Sequence, residues 1–96
     1  MHLAWLGFPT LGQLIDYLKG LQYTEDHEEP GRFVMRHPDP GEDSLFIFRD
    51  RDRNAPAREG EMMLVGKQLT IRGIVSEHDF AFFWANTVLR NMQAAT

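Results

Sequence analysis

The chain has 96 residues, 43% of them hydrophobic and 25% charged, which is ordinary for one soluble globular domain and excludes a disordered, collagenous or membrane-spanning chain. Ten Lys and Arg against fourteen Asp and Glu leave a formal net charge of −4, a poor basis for binding nucleic acid, because phosphate contacts need a basic surface. There is no cysteine, which excludes disulfides, thiolate catalysis and Cys-ligated zinc and suits a reducing cytoplasm.

Met1 to Phe8 is apolar, but it is short, has no basic residue ahead of it and ends at Pro9. It lacks the basic region and the longer apolar run of a secretory signal, so the expected location is cytoplasmic. Thr10 opens the first helix. With Gln13 three residues on it fits a capping box, and Leu11, Leu14, Ile15 and Leu18 recur at helical spacing. Gly20 is the expected C-terminal cap. A short first strand is predicted near Leu21–Asp26, and a second over Arg32–Arg36 with Phe33 and Met35 on one side and Val34 on the other. A turn follows at His37-Pro38-Asp39-Pro40-Gly41, then a third strand over Ser44–Arg49. Short strands joined by turns read as an antiparallel meander.

Ala57 to Arg72 reads as a second helix, with Met62, Val65 and Leu69 at i, i+3, i+7 and Gly73 ending it. Gly60 and Gly66 weaken its propensity, and the rival reading is a strand across Met62–Val65 with another across Gln68–Ile74. Ser76 with Asp79 caps a third helix from Glu77 to about Met92. That helix carries two apolar stripes. One is Phe80, Phe83, Trp84, Thr87 and Val88; the other is Phe82, Ala85, Leu89 and Met92. A surface helix of a small domain needs only one. The third strand is likewise apolar on both sides, with Leu45 and Ile47 pointing one way and Phe46 and Phe48 the other. The expected architecture is therefore a single α+β domain over residues 1–96, ordered α-β-β-β-α-α, with helices on one face of a three-stranded antiparallel sheet.

Within that order, the stretch Pro30-Gly31-Arg32-Phe33-Val34-Met35-Arg36-His37-Pro38-Asp39 resembles the HicA (YcfA-like) toxin family. That family's central strand ends in two apolar residues followed by Arg-His-Pro, as Met35-Arg36-His37-Pro38 does here. Ala57-Arg58, Met62, Val65, Leu69 and Arg72-Gly73-Ile74 look like its second helix. The resemblance covers about residues 10–75 and makes the helix over about 77–92 an extension. It implies a small fold like a double-stranded-RNA-binding domain and an mRNA-cleaving toxin paired with an antitoxin. Such a nuclease uses a histidine early in the central strand to take the 2′-OH proton. Counted back from Arg36-His37-Pro38, the family's histidine pair falls on Arg32 and Phe33. Phe33 moves no proton and Arg32 stays protonated, so no catalytic residue is assigned and the family's ribonuclease activity is not expected here.

Three constellations remain. Arg49-Asp50-Arg51-Asp52-Arg53, with Arg32 and Arg58, is the candidate RNA-contact set, set against a solvated loop with local ion pairs. Asp26-His27-Glu28-Glu29 with His37 and Asp39 has no zinc-type spacing, and neither a metal nor any other cofactor is expected. Phe46, Phe48, Phe82, Ala85, Leu89 and Met92 form the candidate interface. The competing possibility is that all of them are core, with the N-terminal segment covering the second sheet face. The expected partner is a second copy or another protein, with RNA disfavoured by charge and no membrane.

Overall fold

The computed structural model describes residues 3–38 and 45–94. Its elements run in the order α-β-β-β-α-α, an α+β fold. Thr10 caps the first helix: its hydroxyl accepts from the Gln13 N–H at 3.1 Å, and the Gln13 side chain accepts from the Thr10 N–H at 2.9 Å. Helix α1 (Leu11–Gly20) buries Leu11, Leu14, Ile15 and Leu18. Its closure lies two residues beyond Gly20. Gln22 holds the left-handed conformation (φ 78°), and the Tyr23 N–H returns to the Leu18 carbonyl at 3.0 Å. This is a Schellman closure with a side-chain-bearing residue where glycine is usual.

Strands β1 (Thr24–Asp26), β2 (Arg32–Arg36) and β3 (Leu45–Arg49) pair antiparallel in the order β1-β2-β3. Asp39, Pro40, Gly41 and Ser44, part of the expected turn and the expected start of the third strand, lie outside the described residues. The register sets Phe33 against Phe48 and Met35 against Phe46. These four side chains form the inner face and are buried. Val34, Leu45 and Ile47 lie on the other face with Arg32, Arg36 and Arg49. The expectation that Phe46 and Phe48 serve an interface is therefore corrected: each is only 3% exposed and packs in the core. The helices cover the aromatic face because burying larger rings removes more apolar area from water.

Helix α2 (Glu59–Ile71) buries Met62, Val65, Gly66 and Leu69, so the helical reading holds over the two-strand alternative. Gly73 (φ 72°) closes it, with the Ile74 N–H on the Leu69 carbonyl at 2.9 Å. Between β3 and α2 the chain docks on the start of α1. The carbonyls of Ala55 and Arg53 accept from the N–H groups of Leu11 (2.8 Å) and Gly12 (2.9 Å), two donors that a helix leaves unsatisfied. Gly12 permits this approach, because a Cβ there would stand 3.1 Å from the Arg53 carbonyl oxygen.

The Ser76 hydroxyl accepts from the Asp79 N–H at 3.0 Å and starts α3 (Glu77–Ala94). Its first stripe is buried through Phe80, Trp84, Thr87 and Val88. Phe83 stacks on Tyr17 of α1 with ring centres 3.8 Å apart, and Gln13 and Asn91 exchange two amide hydrogen bonds of 2.7 and 2.8 Å. The N-terminal segment, with a 3-10 turn at Ala4–Leu6, lies along this helix. The Trp84 indole donates to the Gly7 carbonyl at 2.7 Å, and the Phe8 and Trp84 rings sit 5.8 Å apart. The segment thus covers α3 rather than the outer sheet face. Among the described residues no helix is long and apolar enough to cross a membrane.

Candidate functional site

Gly66 brings α2 and α3 together. A Cβ at this position would lie 2.7 and 2.8 Å from two carbons of the Phe80 ring, so only a bare backbone fits there. The close approach leaves an apolar groove of about 590 Å³ along the outer side of the helix pair. Its floor is Met62, Gly66, Phe80 and Trp84, and Leu3 lies at its edge. One wall is α2, with Met63, Leu64, Lys67, Thr70 and Ile71; the other is α3, with Glu77 and Ala81. The Thr70 hydroxyl is committed to the Gly66 carbonyl of its own helix at 2.9 Å. The groove therefore presents hydrocarbon, sulfur and aromatic surface, with one cation and one anion at its margins.

The second stripe of α3 runs beside this groove. At 100° per residue, Met92 and Ala85 lie about 20° and 40° beyond Ala81 around the helix, and Leu89 and Phe82 lie about 80° and 100° beyond it, away from the core. Phe82 is 66% exposed, Leu89 48% and Met92 55%, with Ala85 half-buried. Across the groove Ile71 is 68% exposed, and Met63 and Leu64 are also exposed. The groove thus has large exposed apolar side chains on its α2 wall, and α3 carries a further exposed apolar stripe; exposed apolar surface of this extent marks an interaction site.

Of the six interface candidates in the sequence, the structure gathers Phe82, Ala85, Leu89 and Met92 on this surface and places Phe46 and Phe48 in the core. Sequence reasoning missed Leu3, Met63, Leu64, Lys67 and Ile71. A signal was present: Met63, Leu64 and Ile71 fall outside the Met62-Val65-Leu69 stripe, doubling α2 as Phe82 and Leu89 double α3.

The arginine candidates do not assemble. Arg51 makes two hydrogen bonds to Glu61, at 2.9 and 2.6 Å, and a third to the Pro56 carbonyl at 3.2 Å. Arg53 bonds Glu25 at 2.9 Å, and its guanidinium carbon lies 4.3 Å from the centre of the Phe33 ring. Arg58 precedes α2, where its backbone N–H donates to Glu61 at 2.7 Å. Only Arg32 and Arg49 are cross-strand neighbours on the outer sheet face, and Arg32 is paired with Glu29. Beside them Arg36 meets Asp26 at 3.5 Å. Arg51 and Arg53 thus turn inward to tie elements together, while Arg49 stays on the outer sheet face, so the three arginines do not lie in a row.

Two carboxylates anchor these ties. Glu25 meets His27, Lys19 at 3.3 Å and Arg53 at 2.9 Å. The His27 hydrogen bond, against some opposition from burial, and the two cations hold its pKa below the ordinary value of 4.5. Burial pushes Glu61 upward, but the Arg51 pair and the Arg58 N–H outweigh it and leave the pKa lowered. A depressed folded-state pKa gives stability that is present above the unfolded value and is lost as pH falls through the folded one. Urea midpoints should therefore hold steady at neutral pH and decline as pH drops below about 4.5. Glu61→Gln should be less stable at pH 7 and show a shallower acid decline; an unchanged acid slope would contradict this role. Among the described residues no group of three or more His, Asp or Glu side chains is placed to hold a metal ion.

No family model, curated protein or solved structure matches the chain.

Proposed function

We propose that the protein is a non-catalytic interaction module whose working surface is the α2–α3 face. The observation that carries this reading is the apolar surface the two helices leave exposed: a groove with Met63, Leu64 and Ile71 exposed on its α2 wall, and the stripe Phe82, Ala85, Leu89 and Met92 on α3. A folded chain of this size has no internal use for that surface, and covering it removes large apolar side chains from water. The residues where the HicA resemblance would place a proton-transferring histidine argue in the same direction. Phe33 is fully buried, and Arg32 is held by Glu29.

The test is sedimentation velocity over a micromolar concentration series. The wild type should show a sedimentation coefficient that rises with concentration. Phe82→Glu and Ile71→Glu, both at exposed positions, should stay at the monomer value while keeping the wild-type circular dichroism spectrum. A concentration-independent monomer for the wild type would end this reading.

The runner-up is a HicA-like toxin that binds or weakly cleaves RNA. The feature favouring it is the placement of Arg32 and Arg49 side by side on the outer sheet face, with Arg36 on the same face. It requires low-salt RNA retention that weakens steeply as salt rises. Loss of binding in Arg32→Ala/Arg49→Ala would support it, and no retention at low salt would remove it.

A further inference from the structure

We infer that the free edge of β3 is a second docking site, which takes an extended segment of another protein as a fourth strand, apolar beside Ile47 and acidic beside Arg49; this does not rest on the α2–α3 reading above. β3 ends the sheet order β1-β2-β3, and among the described residues its ladder runs to β2 alone. At the end of that pair the Asp50 N–H donates to the Gly31 carbonyl at 3.0 Å. In an antiparallel ladder every second residue bonds to one neighbour, and the residues between turn their N–H and C=O groups the other way. Asp50, Phe48 and Phe46 therefore bond to β2, whereas Leu45, Ile47 and Arg49 present their backbone groups at the free edge. Donors and acceptors at this spacing are matched by another extended backbone and not by a helix, whose own groups are satisfied internally. The conformation of the occupant follows from the edge itself.

The two edges of the sheet differ. β1 is three residues long and carries Glu25 and Asp26, the short, charged form that resists pairing. β3 is five residues long, has no proline and is apolar from 45 to 48. The side chains of its edge residues lie on the outer sheet face, where Ile47 is 58% exposed. Charge then selects the occupant. Arg32 is paired with Glu29 and Arg36 with Asp26, whereas Arg49 is exposed and has no ion pair among the described residues. Arg49 also stands directly across from Arg32, a like charge. An acidic residue laid beside Arg49 meets this charge, and an apolar one beside Ile47 takes it out of water. A second copy answers the edge less well: β3 paired antiparallel with itself along its full length sets Arg49 against Leu45 at both ends.

The test uses the whole chain and two synthetic peptides of alternating valine and threonine that differ at one position, glutamate in one and lysine in the other. Amide hydrogen exchange followed by NMR reads the edge residue by residue. In the free chain the Ile47 and Arg49 amides should exchange fast and the Phe46 and Phe48 amides slowly. The glutamate peptide should slow exchange at Ile47 and Arg49 and bind about fivefold more tightly than the lysine peptide. Arg49→Glu should reverse that preference. Ile47→Pro removes one edge N–H and leaves the β2 ladder whole, at a position where an edge strand tolerates proline. It should abolish binding of both peptides while the circular dichroism spectrum stays that of the wild type; if that variant fails to fold, the Arg49→Glu reversal carries the decision. Binding that survives Ile47→Pro, a preference unchanged by Arg49→Glu, or no protection at millimolar peptide overturns the inference. Protection of the same amides in the chain alone, growing with its concentration, means that a second copy takes the edge and also overturns it. Protection by RNA and by neither peptide does the same in favour of the runner-up. Self-association through the α2–α3 face leaves the Ile47 and Arg49 amides in fast exchange, so this inference and the interaction-module reading fail separately.

Discussion

Phe48→Ala should destabilise the protein by about 3–5 kcal/mol, whereas Phe82→Ala should change the stability of the isolated monomer by less than about 0.5 kcal/mol. Both residues are phenylalanines drawn from one apolar surplus in the sequence, and the contrast comes from what surrounds them. Phe48 is 3% exposed, with the Phe33 ring centre 5.4 Å away and Phe46 at 6.3 Å. Removing it leaves a cavity between the sheet and the helices that the neighbours only partly fill. Phe82 stands mostly in water and gives up little in the free chain. Urea midpoints at the lowest workable protein concentration make the comparison, because self-association would add concentration-dependent stability to the Phe82 side. Similar losses for the two variants would mean that α3 is seated differently from the arrangement described here.

Gly66→Ala should also be costly, by about 1–3 kcal/mol net. In an exposed helix interior the same change gains up to about 1 kcal/mol, so the sign depends on packing. The new methyl would stand 2.7 Å from the Phe80 ring, inside any tolerable contact. Either the ring leaves its place or α3 moves away from α2, and both disturb the groove floor. Gly60→Ala on the same helix serves as the control: nothing lies within 4 Å of a Cβ there, so it should be neutral or mildly stabilising. Phe80→Leu in the Gly66→Ala background should recover part of the loss by making room. A stabilising Gly66→Ala would refute the close helix crossing that forms the groove.

The elements were legible where local chemistry decides them. Thr10 and Gln13 announced α1, Ser76 and Asp79 announced α3, and period-two alternation separated Phe33 and Met35 from Val34. What stayed hidden depends on a third body. Alternation says that Phe46 and Phe48 share a side, but not which side the helices cover. Gly66 reads as a weak spot in a helix until Phe80, fourteen residues on, is seen lying against it. The arginines at 51 and 53 look like a solvent-facing run until the loop turns them onto Glu61 and Glu25. The left-handed position after α1 falls on Gln22 rather than Gly20, because the burial of Leu18 and Tyr23 sets where the chain must turn. The second stripe of α3 was legible because an amphipathic helix needs one apolar face and this one has two.

Sedimentation equilibrium of the unmodified chain at micromolar concentrations tests the central claim most directly. A buried α2–α3 face predicts a mass approaching about 22 kDa, twice the 11.1 kDa chain, and falling towards one chain on dilution. A mass fixed at 11.1 kDa across the series would contradict it.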